Sequence, residues 1–354
     1  MAEKGVKAAL KLEAAFSDGF LAVSTGFVGS AWHARAAVPG LRRGGVEIAG
    51  ISIPGSTRKL PSVLRCQDRQ AEIGVTYSIP HRQAAGSLVR HDDIDCLINI
   101  GTAPRDIGHL YTDTGLSADR ANLCEFTMFE GKHIVTSPGI DADEARLIAD
   151  CAARYPGQLC ILGMEMRFLD SVAALRSLLH QGALGELRGM RGCARSPMAL
   201  QFASADQTWW HSRRAGGGAI AALAPQFVDL VTFVTGDKVL RVRSSATERL
   251  ADEKTTEDSI TGHRVTTKVT TEDRALLTLE MGRDGRAPWP CELLVDTVDE
   301  VLTGGGLHYS IVFEGSEYTH NPHHNMIPKF VSDRFLVVAQ LRAPPLCGVS
   351  MMMY

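Results

Sequence analysis

Residues 24–29 read Ser-Thr-Gly-Phe-Val-Gly, a spacing to be compared with G-x-G-x-x-G. The second and third glycines of that pattern fall at Gly26 and Gly29, and Ser24 stands at the first. In such a loop the middle glycine lets backbone N–H groups approach a pyrophosphate, and the last lets the following helix pack closely on its strand. Ser24, Thr25, Gly26, Phe27, Val28 and Gly29 are therefore the expected phosphate contacts; the alternative is a turn with a structural role only. Further on, the segment "GISIPGSTRKL" closes a strand without a carboxylate. Ser52, Ser56, Thr57, Arg58 and Lys59 offer hydroxyls and two cations there, which suits a ribose 2′-phosphate and favours NADP over NAD. An ordinary polar turn is the competing reading.

A second glycine-bearing stretch, "GGGAIAALAPQFVD" (216–229), raises a different question. Three glycines imply close approach of something to the backbone, yet the next eleven residues carry one ionisable side chain, Asp229. Just upstream lies "TWWHSRRA", with His211, Arg213 and the pair Trp209–Trp210. "HNPHHN" (His320, His323, His324) is the densest histidine cluster, but it lacks Cys or carboxylate partners at ligand spacing. It reads as a solvated loop, and no metal is expected. Eight cysteines occur without a CxxC pair, which fits reduced thiols better than a disulfide framework.

The elements that must position these residues follow from apolar periodicity. "FLAV" (20–23) reads as a short buried strand, followed by a helix through "FVGSAWHARAAV". "VEIAGIS" (46–52) is a second strand, and "IGVTYS" leads into a helical stretch at 81–91. "IDCLINI" (94–100), "KHIVTS" (132–137) and "QLCILG" (158–163) are further strands, with the helix "DADEARLIADCAARY" before the last. Strands separated by helices of 10–15 residues imply βαβ units and a parallel sheet. After about residue 163 the pattern changes. One long helix (171–182) ends at Gly182, and Thr- and Val-rich alternating segments follow, which predicts a mostly antiparallel sheet. The expected fold class is α/β: a doubly wound parallel Rossmann sheet plus a C-terminal α+β domain with an open, mostly antiparallel sheet. The expected boundaries are an extension over 1–19, a dinucleotide-binding domain over 20–163 and a substrate and oligomerisation domain over 164–354.

The chain has 354 residues, 45% hydrophobic and 22% charged, with a formal net charge of −3. That composition allows two domains with real cores at about 150 residues each. It offers no basic field for nucleic acid or an anionic membrane. No stretch matches a transmembrane span of about 20 apolar residues. The opening "MAEKGVKAALKLEAAFSDGF" lacks the apolar centre of a secretory signal, so the expected location is cytoplasmic.

The order of segments resembles the glucose–fructose oxidoreductase / inositol dehydrogenase / rhizopine catabolism (Gfo/Idh/MocA) family. The resemblance runs over roughly residues 20–345, through "STGFVGSAWHARA", "DDIDCLINIGTAP", "EGKHIVTSPGIDADEARLIADCA", "GMEMRFLDSVAALRSLLHQGALGELRGM" and "GGGAIAALAPQFVDLVTFVTG". It implies a nicotinamide cofactor, hydride transfer with a sugar, cyclitol or related small molecule, and homo-oligomers built through the C-terminal sheet. By position, Thr102, Ala103 and Pro104 would lie beside the nicotinamide ribose, and Arg167 near the cofactor.

The departures from the family concern proton handling. Thr136, Ser137 and Pro138 stand where the family usually has Glu-Lys-Pro. The usual aspartate and histidine four residues apart are Ala222 and Gln226. Gln226 can exchange hydrogen bonds but cannot serve as a base near neutral pH. Ser137, Gln226, Glu165 and His211 are the catalytic candidates that remain. Glu165 has a structural salt bridge as its alternative reading, and His211 an exposed loop position. The expectation is an NAD(P)-dependent oxidoreductase lacking the family's Lys and Asp/His groups. The alternative is a catalytically inactive dinucleotide-binding or scaffold protein of the same fold.

Overall fold

The computed structural model describes residues 23–29, 31–53, 71–82, 85–100, 120–139, 141–197, 199–200, 209–213, 216–257, 264–298, 308–316, 327–331 and 334–342. They fall into two compact units that divide between Gly163 and Met164. The expected N-terminal extension over 1–19 lies outside the described residues, as do Arg58, Thr102, Ala103 and Pro104.

Unit 1 runs β1 (Ser24–Val28), α1 (Ala31–Arg43), β2 (Glu47–Ser52), β3 (His81–Arg82), α2 (Ala85–Arg90), β4 (Cys96–Asn99), α3 (Arg120–Phe129), β5 (His133–Thr136), α4 (Ala142–Arg154) and β6 (Cys160–Leu162). The six strands pair in parallel in the order β3-β2-β1-β4-β5-β6. Alternate residues serve opposite faces of the sheet. Phe27, Ile51 and Ile98 join Ala34 and Val38 of α1 in one core layer. Val28, Ala49, Leu97 and Ile134 join Leu88, Leu123, Met128 and Ile148 in the other. Burial on both faces is why these strands read as unbroken apolar runs.

Of the strand expected at 20–23, residues 20–22 lie outside the described residues. Ser24–Val28, expected as a phosphate loop running into a helix from Phe27, is itself β1, and the turn into α1 begins at Gly29. The reason is packing. Phe27 and Val28 fill opposite core layers, and Gly26 pairs with Gly50 of β2 on the Val28 face. A Cβ on Gly26 would sit 3.0 Å from Leu97 Cδ1, and one on Gly50 would sit 2.7 Å from Leu88 Cδ2 and 3.0 Å from Ile94 Cδ1. The two glycines make a shallow place in the sheet on which Ile94 and Leu88 rest. Two other differences are local. The segment over 73–78 begins inside a helical stretch at 71–76, and the helix expected at 81–91 is the short strand β3 followed by α2.

Unit 2 opens with a 3₁₀ turn (Glu165–Phe168) and α5 (Asp170–His180), then β7 (Leu187–Arg195), a 3₁₀ turn (Trp209–His211) and α6 (Ala219–Thr235). The strands β8 (Lys238–Glu248), β9 (Glu253–Glu257), β10 (Arg264–Lys268), β11 (Arg274–Gly282), β12 (Trp289–Asp296), β13 (His308–Gly315), β14 (Ile327–Val331) and β15 (Arg334–Arg342) complete it. Seven of them form a sheet in the order β14-β15-β13-β7-β12-β11-β8, antiparallel except for β7 beside β12, while β9 and β10 pair separately. β12 and β13 alternate strictly between buried and less buried residues, so one face carries the core. α6 lies on that face. Its Phe227 meets Tyr309 edge-on at 5.5 Å and presses on Gly192, where a Cβ would fall 2.2 Å from the ring. β8 is exposed along its whole length, Leu240 and Val242 included.

Candidate functional site

In unit 1 the chain passes outward from β1 to β2 and β3, then returns to β4 on the other side of β1. Strand order therefore reverses between β1 and β4, the place where open α/β sheets bind ligands outside the carboxyl ends of their strands. At that rim stand Gly29, Ser52, Asn99 and Ser137. The Gly29 N–H donates to the Ser52 carbonyl at 3.1 Å, and the Ser137 N–H donates to the Asn99 carbonyl at 3.3 Å. Helix α1 follows Gly29 and carries no acidic residue in its first turn, so the positive end of its dipole is not offset from within.

Ser24 is at the other end of β1. Its N–H donates to Asp95 Oδ2 at 3.4 Å, on the turn that precedes β4. A strand rises about 3.3 Å per residue, so Ser24 and Gly29 stand a strand's length apart and cannot share one phosphate. Thr25, Gly26, Phe27 and Val28 are strand residues between them, and all four are buried. As a group these residues position the rim, and Gly29 begins the turn into α1. Ser52, by contrast, sits at the carboxyl end of β2 and is buried.

The Ser137 turn is held by a group that the sequence did not disclose. Arg120, at the start of α3, donates from its guanidinium to the Pro138 carbonyl and lies 3.8 Å from Glu144, both side chains being buried. Glu144 also accepts from the Arg120 N–H at 3.1 Å, and Asp141 caps α4 through the Glu144 N–H at 2.8 Å. The segment over 105–130, without a role in the sequence, thus supplies a buried cation that fixes Ser137–Pro138. Ser137 itself is 4% exposed.

In unit 2 the glycine triplet has a definite purpose. Gly216 and Gly218 have φ of 80° and 101°, and Gly218 precedes α6 without a side chain to cap it. The cap arrives from far along the chain. Glu272 Oε1 accepts the Ile220 N–H at 3.0 Å, its Oε2 accepts from Arg213 at 3.2 Å, and its carbonyl accepts the Ala219 N–H at 2.9 Å. A Cβ on Gly218 would lie 2.9 Å from Glu272 Oε1. What approaches the glycines is the protein's own carboxylate. Neighbouring bonds extend the clamp: Thr271 donates to the Trp210 carbonyl at 3.0 Å, the Thr270 N–H donates to the His211 carbonyl at 2.9 Å, and the Arg213 N–H donates to Thr270 Oγ1 at 2.9 Å. Trp210 is wholly buried, so it is core and not a platform for substrate.

His211 belongs to this clamp. Burial, and then the Lys254 ammonium, push its pKa below the usual histidine value, against a smaller opposing effect of Asp273. It is a neutral imidazole at physiological pH, and its half-buried side chain is not the exposed loop residue of the sequence reading. Arg167, in the 3₁₀ turn, binds Asp229 of α6 with two donors, Nε to Oδ2 at 2.7 Å and Nη2 to Oδ1. That bond raises the arginine's pKa further. Arg167 and Arg176 both stack on Phe233, at 5.1 and 4.4 Å from the ring centre. Asp229 is therefore held as an ion-pair partner. Ala222 and Gln226, one helical turn apart, are both buried. Glu165 starts the same 3₁₀ turn as Arg167. Ser137 belongs to unit 1, whereas Gln226, Glu165, His211 and Arg167 belong to unit 2.

The GFO/IDH/MocA C-terminal domain model matches residues 172–295. The chain is 24% identical over 179 residues to glucose-fructose oxidoreductase domain-containing protein 1 of Mus musculus, a match covering 50% of this chain and 42% of the mouse protein. It thus spans less than half the length of the curated relative it matches. Among solved structures, an oxidoreductase domain protein from Kribbella flavida superposes with a TM-score of 0.64 at 16% identity, covering 92% of this chain and 80% of that one. Levoglucosan dehydrogenase in complex with NADH and levoglucosan superposes with a TM-score of 0.63 at 12% identity, covering 93% and 83%. At these identities the structural likeness is one of fold.

Proposed function

We propose that the chain is a divergent member of the Gfo/Idh/MocA family and a nicotinamide-dinucleotide-dependent oxidoreductase of a small sugar-like or carbonyl substrate, a reading supported by the match of its residues 172–295 to the family's C-terminal domain and by the shared fold. The observation that carries the reading is the reversal of strand order at β1, with Gly29 leading into a helix whose first turn is free of acid. The residues present fit the cofactor. The first amides of α1 would hold the pyrophosphate, the buried Ser52 hydroxyl would face the adenosine ribose, and the Ser137 turn would border the nicotinamide side. Bound there, the dinucleotide supplies or accepts the hydride. The levoglucosan dehydrogenase of like fold holds NADH. Preference for NADP rests on Arg58 and Lys59 and on the lack of a carboxylate after β2.

The protein's own part in the proton step is reduced. Ser137, Ala222 and Gln226 carry no charge, and Asp229 is spent on Arg167. Carbonyl reduction, in which water delivers the proton, suits this set better than alcohol oxidation, which needs a base. The same facts favour a second reading, a dinucleotide-binding protein without turnover, assembled through the open sheet whose β8 face exposes Leu240 and Val242. Titration with NADPH and NADH, followed by fluorescence, and then a substrate panel with deuterated cofactor separate them. Tight NADPH binding with deuterium transfer supports the enzyme. Binding without transfer leaves the second reading, and no binding at millimolar cofactor removes both.

A further inference from the structure

His81, His91 and Asp93 converge at the rim of unit 1 opposite the strand ends just described. His81 opens the edge strand β3, while His91 and Asp93 lie in the turn between α2 and β4. His81 Nε2 and His91 Nδ1 each stand 3.7 Å from Asp93 Oδ2, and one ligand atom from each of the three residues lies within 4.8 Å of the others. The two rings are 3.7 Å apart between centres and tilted by 38°. Imidazole nitrogens and carboxylate oxygens can all donate electron pairs to a metal, and their convergence suits a shared cation. With metal–ligand bonds of about 2.0–2.1 Å, neighbouring ligands of a tetrahedral ion are separated by about 3.4 Å. The two 3.7 Å spacings are close to that.

The turn is also built in advance. Lys132 Nζ donates to the carbonyls of His91 and Ile94, at 2.7 Å to the latter, and the Ile94 N–H donates to the His91 carbonyl at 3.1 Å. The Lys132 ammonium is the opposing charge; Asp92 and Asp95 flank Asp93 in the same turn. The Asp93 N–H makes a long 3.4 Å bond to His91 Nδ1, which a metal at that nitrogen would replace. The imidazoles are three-quarters buried and the carboxylate is 73% exposed, so ligands are held on two sides and water can complete the shell.

We propose that His81, His91 and Asp93 form a binding site for a divalent transition ion of the zinc class, with water as the remaining ligand. Two nitrogens and one oxygen suit Zn²⁺, Co²⁺ or Ni²⁺, whereas Mg²⁺ and Ca²⁺ require oxygen donors throughout. Its place at the amino-terminal rim of the sheet makes it a structural or regulatory site, separate from the proposed cofactor site.

The test is a titration of the full-length, EDTA-treated protein with Co²⁺ and then Zn²⁺, followed by visible absorption. The expected result is ligand-field bands that saturate at a single equivalent, show no thiolate charge transfer and vanish on adding Zn²⁺. Asp93→Asn and His81→Gln should each weaken binding by more than the roughly 10–100-fold typical of losing a second-shell partner. Asp93 is exposed enough that D93N will fold. The double variant His323→Ala/His324→Ala, in the other histidine cluster, should titrate like the wild type. Absence of bands, thiolate charge transfer, indifference to D93N and H81Q, or loss in the His323/His324 variant would each overturn the proposal.

Discussion

At Gly29 the backbone leaves the central strand of unit 1 and enters α1, whose first turn carries no acid; at Gly216–Gly218 the backbone of unit 2 enters α6, whose first amides are taken by Glu272. In the sequence the two segments give the same signal, glycine followed by an apolar helix. In the structure they are opposites. One helix start carries no acid in its first turn and is the proposed phosphate site, and the other is already filled by an internal carboxylate. Glycine before a helix therefore reports a close approach without saying whose. Only the partner, which for α6 stands 52 residues further along the chain, decides between a binding site and a clamp.

The largest effect should come from breaking the clamp. Gly218 has φ of 101° and ψ of 163°, a region that side-chain-bearing residues adopt at a cost of about 1–3 kcal/mol. A methyl group there would also displace Glu272 Oε1, and a lost hydrogen bond to a charged group costs about 1.5–3 kcal/mol. Gly218→Ala should therefore destabilise unit 2 by about 3 kcal/mol or more in urea unfolding. Glu272→Gln keeps the bond to Ile220 but loses the charge at the helix start, and should cost only about 1 kcal/mol. Equal, small losses for both variants would mean that the glycines serve something other than Glu272.

Unit 1 should divide its two glycines between stability and binding. Gly26→Ala brings a methyl within 3.0 Å of Leu97 and 3.3 Å of Ile94, an overpacking worth about 1–2 kcal/mol, with NADPH affinity unchanged. Gly29→Asp places a negative charge at the proposed phosphate site and should weaken NADPH by about tenfold, ~1.4 kcal/mol, in a fluorescence titration. If Gly26→Ala instead abolished binding in a folded protein, the phosphate would have to lie deeper along β1 than the strand allows.

A smaller effect tests whether Asp229 is a survivor of the site or a strut. The Arg167–Asp229 bond has two well-placed donors, but Arg167 is 40% exposed, so solvent screens it. A double-mutant cycle of Arg167→Gln and Asp229→Asn should give a coupling of about 1 kcal/mol in stability. A coupling near zero, with turnover changed by Asp229→Asn alone, would return the carboxylate to the chemistry.

Most of the architecture could be read from periodicity. The strands at 47–52, 96–99, 133–136 and 160–162, the helix after Asp141 and the end of α5 before Gly182 all follow from apolar runs, a cap and a left-handed glycine. The register of β1 could not, because "FLAV" and "STGFV" are both acceptable strands. Only the pairing of Gly26 with Gly50 and the seat for Ile94 decide between them. The candidate site was legible as a set of absences, at Ser137, Ala222 and Gln226. Its supports were not. Arg120 and Glu272 act across 18 and 52 residues of chain, at Pro138 and Ile220, and no local pattern marks a buried ion pair or a distant cap.

The smallest expected effect concerns His211, which sits in the clamp in the 3₁₀ turn beside the segment that bears Glu272. Its folded pKa lies below the ordinary value of 6.5, because burial and Lys254 both disfavour the imidazolium. Above that value neither the folded nor the unfolded chain binds the proton, and stability does not depend on it. As pH falls below about 6.5 the unfolded chain takes up a proton that the folded chain refuses, so stability declines until the folded pKa is reached. His211→Gln should flatten that acid limb in urea unfolding of unit 2 and leave the plateau above it nearly unchanged. A steeper decline in the variant would mean that the imidazolium is favoured in the fold. His211 would then be a charged partner of Asp273, and the clamp would end in an ion pair instead of a neutral ring.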